Sequence, residues 1–66
     1  MNIILNNESD EVHEGITIKE FLDDKKINTK YIAIEINKKI IPKSSYINHE
    51  LKDGDKIEII TAIGGG

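Results

Sequence analysis

Alternation of apolar and polar residues in three separate segments is the feature that most constrains the fold of this chain. The segments are MNIILN at the start, YIAIEIN in the middle and KIEIITAI near the end. Successive side chains of a β-strand point to opposite faces of a sheet, so each segment predicts a strand with one buried face. Most of the apolar positions are isoleucine, a β-branched residue that favours strands.

A single helix is predicted to cover the buried face of this sheet. In the segment GITIKEFLDDKKIN, Thr17 is a suitable N-cap, and Glu20 three residues later completes a capping-box pattern. We expect Lys25 and Lys26 in the last turn, where their charges would complement the helix dipole. The apolar side chains predicted to face the sheet are Ile18, Phe21 and Leu22.

The connecting segments carry turn signals and two weaker strand candidates. NNESD is predicted to be a turn and EVHEG a second short strand, while KKII is expected to be a short continuation or an edge strand that ends at Pro42. KSSYINHEL predicts a turn or a single helical turn with Tyr46 and Leu51 facing inward, and KDGDK predicts a tight turn.

The order of these elements predicts an α+β fold, a small mixed sheet packed on one helix in two layers. Residues 1–63 are expected to form this domain, followed by a flexible tail of glycines at 64–66. The strand residues expected in the core are Met1, Ile3, Leu5, Ile32, Ile34, Ile36, Ile57 and Ile59.

Length and composition restrict the function. A chain of 66 residues buries only about 60% of the surface exposed by its unfolded form, which argues against a deep, self-sufficient active site. The net charge of −3 argues against nucleic-acid binding, and the absence of cysteine leaves no thiolate nucleophile. The sequence shows no signal peptide and no membrane span, so a cytoplasmic protein is expected.

No catalytic or metal site is predicted from the titratable residues. His13 and His49 match no metal-binding spacing, so the simpler interpretation is that both face solvent. Asp53 and Asp55 flank a glycine and are typical of a turn rather than of an acid–base pair.

The three glycines at 64–66 are the remaining candidate site. No helix follows them, so they do not form a phosphate-binding loop. They are either a frayed terminus or a narrow arm that reaches about 10 Å beyond the fold and places the Gly66 carboxylate inside another protein. A carboxylate is a poor electrophile, so such an arm would need activation, most simply by adenylation, before transfer to a sulfur or nitrogen nucleophile.

Taken together, several segments of the chain resemble the ThiS family, the sulfur carriers of thiamine biosynthesis. The most specific parts are Asn37 with Ile41-Pro42-Lys43 and Tyr46, the DGD turn before the last strand, and the terminal glycines. The family often has arginine and tryptophan where this chain has Lys43 and Tyr46. These changes keep a cation and an aromatic ring, although lysine is poor at bidentate contacts.

The resemblance implies a β-grasp, ubiquitin-like fold and a carrier that is not itself an enzyme. A ThiF-like adenylating partner would use ATP to form an acyl-adenylate on Gly66, and the carrier would bind no cofactor of its own. A persulfide sulfur that derives from cysteine would then produce a thiocarboxylate, from which a ThiG-like thiazole synthase would take the sulfur.

Partner binding would use the sheet face that the helix leaves open. Apolar residues expected there, and predicted to form a docking patch, are Ile4, Ala33, Ile60 and Ala62. Three alternative functions remain: a carrier like the molybdopterin synthase small subunit, a ubiquitin-like modifier that forms an isopeptide bond, and a β-grasp interaction module whose glycines have no role.

Overall fold

The computed structural model describes residues 1–61, which form a five-stranded mixed sheet with one α-helix against one face. The sheet order is β2-β1-β5-β3-β4; β1 and β5 are parallel and the other neighbouring pairs are antiparallel. Single 3₁₀ turns cover Thr29–Tyr31 and Lys43–Ser45. The regular elements are β1 Asn2–Leu5, β2 Glu8–Glu11, α1 Ile18–Asp24, β3 Ile32–Ile36, β4 Lys39–Ile41 and β5 Lys56–Thr61. The predicted α+β architecture is confirmed.

The first hairpin differs from the prediction. The second strand is Glu8–Glu11, inside the segment expected to be a turn, and EVHEG contributes only its first residue to that strand. Asn6 and Asn7 form the turn with φ values of 47° and 71°, a left-handed pair that suits a two-residue hairpin. β2 lies at the edge of the sheet and its side chains are polar, so apolar alternation could not reveal it.

The start of α1 agrees with the prediction, whereas its end does not. The Glu20 N–H donates to Thr17 Oγ1 and the Thr17 N–H donates to Glu20 Oε1, which confirms the capping box. The helix ends at Asp24, so the placement of Lys25 and Lys26 in its last turn was wrong. Lys25 is the C-cap, and its ammonium pairs with Asp10 of β2.

A left-handed residue terminates the helix. Lys26 has φ 57°, its N–H donates to the Asp23 carbonyl, and the Ile27 N–H donates to the Leu22 carbonyl. These two bonds are those of a Schellman motif, in which glycine usually takes the left-handed position. Lysine in that position explains why no stop signal was visible at this point in the sequence.

The core lies between α1 and the sheet. The buried residues are Ile3, Ile16, Ile18, Phe21, Leu22, Ile34, Ile36, Tyr46, Leu51 and Ile57. Among the predicted strand residues, Met1, Leu5, Ile32 and Ile59 are partly buried and pack against this cluster. The inward positions predicted for Tyr46 and Leu51 are confirmed, which means that the irregular segment between β4 and β5 closes one end of the core.

Candidate functional site

The chain leaves the described structure from the middle of the sheet. β5 lies between β1 and β3, and its last residue, Thr61, is paired with Ile32 at the start of β3. β1 pairs with the first two residues of β5, Lys56 and Ile57, whereas the last residues of β5 pair with β3 alone. The ladder with β3 therefore holds β5 up to the point where the described structure ends. The predicted tail residues Gly64, Gly65 and Gly66, together with Ala62 of the predicted patch, lie outside the described residues 1–61.

Two of the predicted patch residues are direct neighbours. Ala33 of β3 lies opposite Ile60 of β5 in the antiparallel ladder. Their sequence neighbours Ile34 and Ile59 are the residues that face the core, so Ala33 and Ile60 point to the open face. Ile60 is 43% exposed although it is a large apolar residue. This pair therefore forms a small apolar surface next to the end of β5.

Ile4 lies at a distance from this surface. The parallel ladder places Ile4 opposite Lys56, four residues before Ile60 on β5. Four residues of strand correspond to about 13 Å. Ile4 is on the open face, as predicted, but the structure does not bring it next to Ala33 and Ile60.

Among residues 1–61, three exposed apolar side chains lie outside the predicted patch: Tyr31, Ile40 and Ile47, the last of which is 61% exposed in the segment between β4 and β5. Ile40 of β4 lies opposite Glu35 on the open face and is 68% exposed. Tyr31 precedes β3, is 50% exposed, and has the Lys30 ammonium 5.3 Å from its ring centroid. The signal for Ile40 was present in the KKII segment, because one of two consecutive isoleucines on an edge strand must point away from the core.

The motif residues at Lys43 and Tyr46 have structural roles here. Lys43 Nζ donates to the Lys30 carbonyl oxygen at 3.3 Å and so connects the two 3₁₀ turns. Tyr46 is buried in the core, and this burial raises the pKa of its phenol. A single hydrogen bond to a carbonyl needs no bidentate donor, so lysine is sufficient for this contact.

Asn37 and the DGD turn form one hydrogen-bonded unit. Asn37 Nδ2 donates to Asp55 Oδ1, and the Lys56 N–H donates to Asn37 Oδ1, both at 3.0 Å. Asp55 Oδ2 accepts from the Lys52 N–H, and Asp53 Oδ1 accepts from the Asn2 N–H. The interpretation of both aspartates as turn-forming residues is confirmed. The unit fixes the start of β5, the strand that leads to the tail.

The two histidines lie apart from the apolar surface. His13 is exposed in the loop after β2, as predicted, whereas His49, which was also expected to face solvent, is partly buried in the segment between β4 and β5. Within residues 1–61, no three histidine, cysteine, aspartate or glutamate side chains are grouped closely enough to hold a metal ion. In the same part of the chain, no helix is long and apolar enough to cross a membrane.

A mixed five-stranded sheet on a single helix, with its central strand running toward a glycine segment, defines a small protein of the β-grasp class. Within that class, the model of the ThiS family matches residues 3–66. The chain therefore belongs to the ThiS family.

Individual relatives agree with this assignment. The chain is 30% identical over 66 residues to the sulfur carrier protein ThiS of Escherichia coli strain K12, with 100% of both chains covered. A crystal structure of the thiamine biosynthesis protein ThiS from Geobacter metallireducens matches with a TM-score of 0.87 at 28% identity, again with 100% of both chains covered.

A longer relative has a different name. The whole chain is 36% identical to part of a protein of Paramagnetospirillum magneticum named thiazole synthase, and it spans only 20% of that protein. Family membership and these relatives together support a role as a sulfur carrier in thiamine biosynthesis, as the sequence analysis predicts.

Proposed function

We propose that this sulfur carrier works through the Gly66 α-carboxylate and takes part in the reactions as a substrate of other enzymes. A ThiF-like partner would activate the carboxylate: one carboxylate oxygen attacks the α-phosphorus of ATP, pyrophosphate leaves, and an acyl-adenylate forms. The observation that carries this proposal is the position of β5 between β1 and β3 in the sheet, with the glycines beginning three residues after its last residue, Thr61.

The sulfur would enter in the second step. A persulfide attacks the acyl carbon and displaces AMP, and a thiol then reduces the resulting acyl disulfide to release a thiocarboxylate on Gly66. The chain has no cysteine, so the persulfide and the reducing thiol would both belong to partner proteins. This division of labour agrees with a carrier that contributes its end group and no catalytic side chain.

The acceptor in this proposal is a ThiG-like thiazole synthase. Support comes from the Paramagnetospirillum protein, in which a region similar to this whole chain is part of a polypeptide named thiazole synthase. Fusion of a carrier to its acceptor raises their effective concentration, which is useful when the two act in consecutive steps.

The glycine segment gives the proposal its steric basis. Without Cβ atoms, Gly64, Gly65 and Gly66 need only a channel as wide as a backbone, and three extended residues span about 10 Å. The apolar surface of Ala33 and Ile60 lies where β5 ends, so a partner that encloses the tail would contact this surface first.

Intact mass spectrometry tests this function. The chain is co-expressed with the adenylating enzyme and the sulfur source of its native cell, and its mass is expected to increase by the replacement of one oxygen by sulfur. The matched control carries one alanine after Gly66 and should keep the fold but remain unmodified. An unmodified wild-type chain with active partners, or a sulfur-bearing extended chain, would contradict the proposal.

A further inference from the structure

Two carboxylates oppose each other at the centre of the open face. Glu35 of β3 and Glu58 of β5 are direct partners in the antiparallel ladder. Their neighbours Ile34, Ile36 and Ile57 are buried in the core, so both glutamates point away from the helix. The Cβ atoms of directly opposed strand residues lie about 4.5–5.5 Å apart, so the two glutamate side chains leave the sheet side by side.

The fold does not compensate for this pairing of like charges. Among residues 1–61, the ion pairs are Lys19 with Asp23 and Lys25 with Asp10, and neither includes Glu35 or Glu58. Lys56, on the same face two residues before Glu58, forms no ion pair with either carboxylate. Like charges directly opposite each other destabilise a sheet, so folding does not explain why both positions are acidic.

Apolar side chains border the two carboxylates on two sides, and Lys56 lies on the same face on a third side. On the side toward the chain end, the next pair on the same face is Ala33 and Ile60. On the side of β4, exposed Ile40 lies opposite Glu35. The result is an acidic pair with apolar neighbours toward the chain end and toward β4, an arrangement complementary to a basic side chain that projects from an apolar partner surface.

We propose that Glu35 and Glu58 together receive an arginine side chain of the adenylating partner, an inference that rests on the function proposed above. The planar guanidinium has five N–H donors and can bond both carboxylates at once. Glu58 is only three residues before Thr61, the last described residue, so the pair is close to the point where a partner that holds the tail would bind. Binding then replaces a repulsion in the free carrier by two charge-assisted hydrogen bonds.

The test separates recognition from folding. ATP–pyrophosphate exchange by the adenylating enzyme is measured against carrier concentration for the wild type and for Glu35→Gln/Glu58→Gln. We expect the KM for the double variant to rise by about tenfold or more, with kcat little changed and with a weaker dependence of KM on salt. The melting temperature of the same variant should rise by about 1–4 °C, because the repulsion is removed.

Two further variants make the test specific. Glu8→Gln/Glu14→Gln removes the same net charge from exposed positions outside the sheet centre and should leave KM unchanged. Glu58→Lys creates an opposite-charge pair with Glu35, so it should stabilise the fold and weaken binding even more strongly.

The outcomes distinguish this inference from the proposed function. If the wild-type chain supports no exchange, adenylation itself is contradicted. If the wild type is active but Glu35→Gln/Glu58→Gln has the same KM and salt dependence, the arginine site is refuted. Equal increases of KM in both glutamine double variants would also refute it, because total charge and not this pair would then control binding.

Discussion

Replacement of Asn37 tests how the start of β5 is held in place. Asn37 has φ 52° and its side chain makes two hydrogen bonds of 3.0 Å, one to Asp55 Oδ1 and one from the Lys56 N–H. Asn37→Ala removes both bonds and leaves a residue with a Cβ in a left-handed conformation that asparagine tolerates better than alanine does. Exposed hydrogen bonds contribute about 0.5–1 kcal/mol each, and the conformation costs alanine about 1 kcal/mol.

The expected loss for Asn37→Ala is therefore about 2–3 kcal/mol in the free energy of unfolding. Asn37→Gly is the matched variant: it loses the same bonds but adopts positive φ without strain, so it should lose only about 1–2 kcal/mol. Urea denaturation followed by circular dichroism measures both changes, provided that the m value, the dependence of the unfolding free energy on urea concentration, is the same for all variants. Equal losses for alanine and glycine would refute the conformational argument, and losses below about 0.5 kcal/mol for both would refute the role of the hydrogen bonds.

Three further predictions concern the helix ends and the core. Lys26→Gly should stabilise the fold by about 0.5–1 kcal/mol because glycine suits the left-handed C′ position. Lys19→Gly, inside α1, should instead destabilise the fold by about 1 kcal/mol. Changes of the same sign for both variants in urea titrations would contradict this prediction. The pKa of Glu20 is lowered from 4.5, mainly because its carboxylate accepts a hydrogen bond from the Thr17 N–H. The ionised Glu20 side chain therefore stabilises the fold above pH 4.5, and this stabilisation is lost as the pH falls through the folded-state pKa. Between pH 7 and pH 2, the melting temperature should therefore decrease less for Glu20→Gln than for the wild type. Equal decreases would refute this role of Glu20. Burial raises the pKa of the Tyr46 phenol. The stabilisation contributed by the neutral, buried phenol is therefore present below pH 10 and decreases as the pH rises through the folded-state pKa. Tyr46→Phe should reduce the alkaline loss of stability relative to the wild type and to the reference variant Tyr31→Phe, and an unchanged alkaline slope would contradict the assignment.

The parts of the fold that follow a periodic pattern could be predicted from the sequence. β1, β3 and β5 alternate because one face is buried, and the start of α1 is visible because Thr17 and Glu20 are a capping pair. β2 could not be found in this way, since an edge strand with polar side chains has no apolar period. The end of α1 depends on Lys26 in a conformation that lysine seldom adopts, so no residue type marks it.

In the candidate site, too, some features could be predicted from the residue pattern and others could not. Alternation places Ala33, Ile60 and Ile4 on the open face, but only the strand order and register show that Ala33 adjoins Ile60 while Ile4 does not. The opposition of Glu35 and Glu58 is likewise a consequence of register, which a residue pattern within one strand does not contain. The role of Gly66 and the boundary between domain and tail remain predictions of the sequence.

The most direct test of the central claim is to locate the sulfur within the chain. Carrier isolated after co-expression with its adenylating and sulfur-supplying partners is fragmented intact in a mass spectrometer. We predict that every fragment containing Gly66 carries the exchange of one oxygen for sulfur and that fragments ending before Gly66 do not. Sulfur on any other residue, or adenylation-dependent sulfur that remains when the Gly66 carboxylate is blocked by an added residue, would contradict the account.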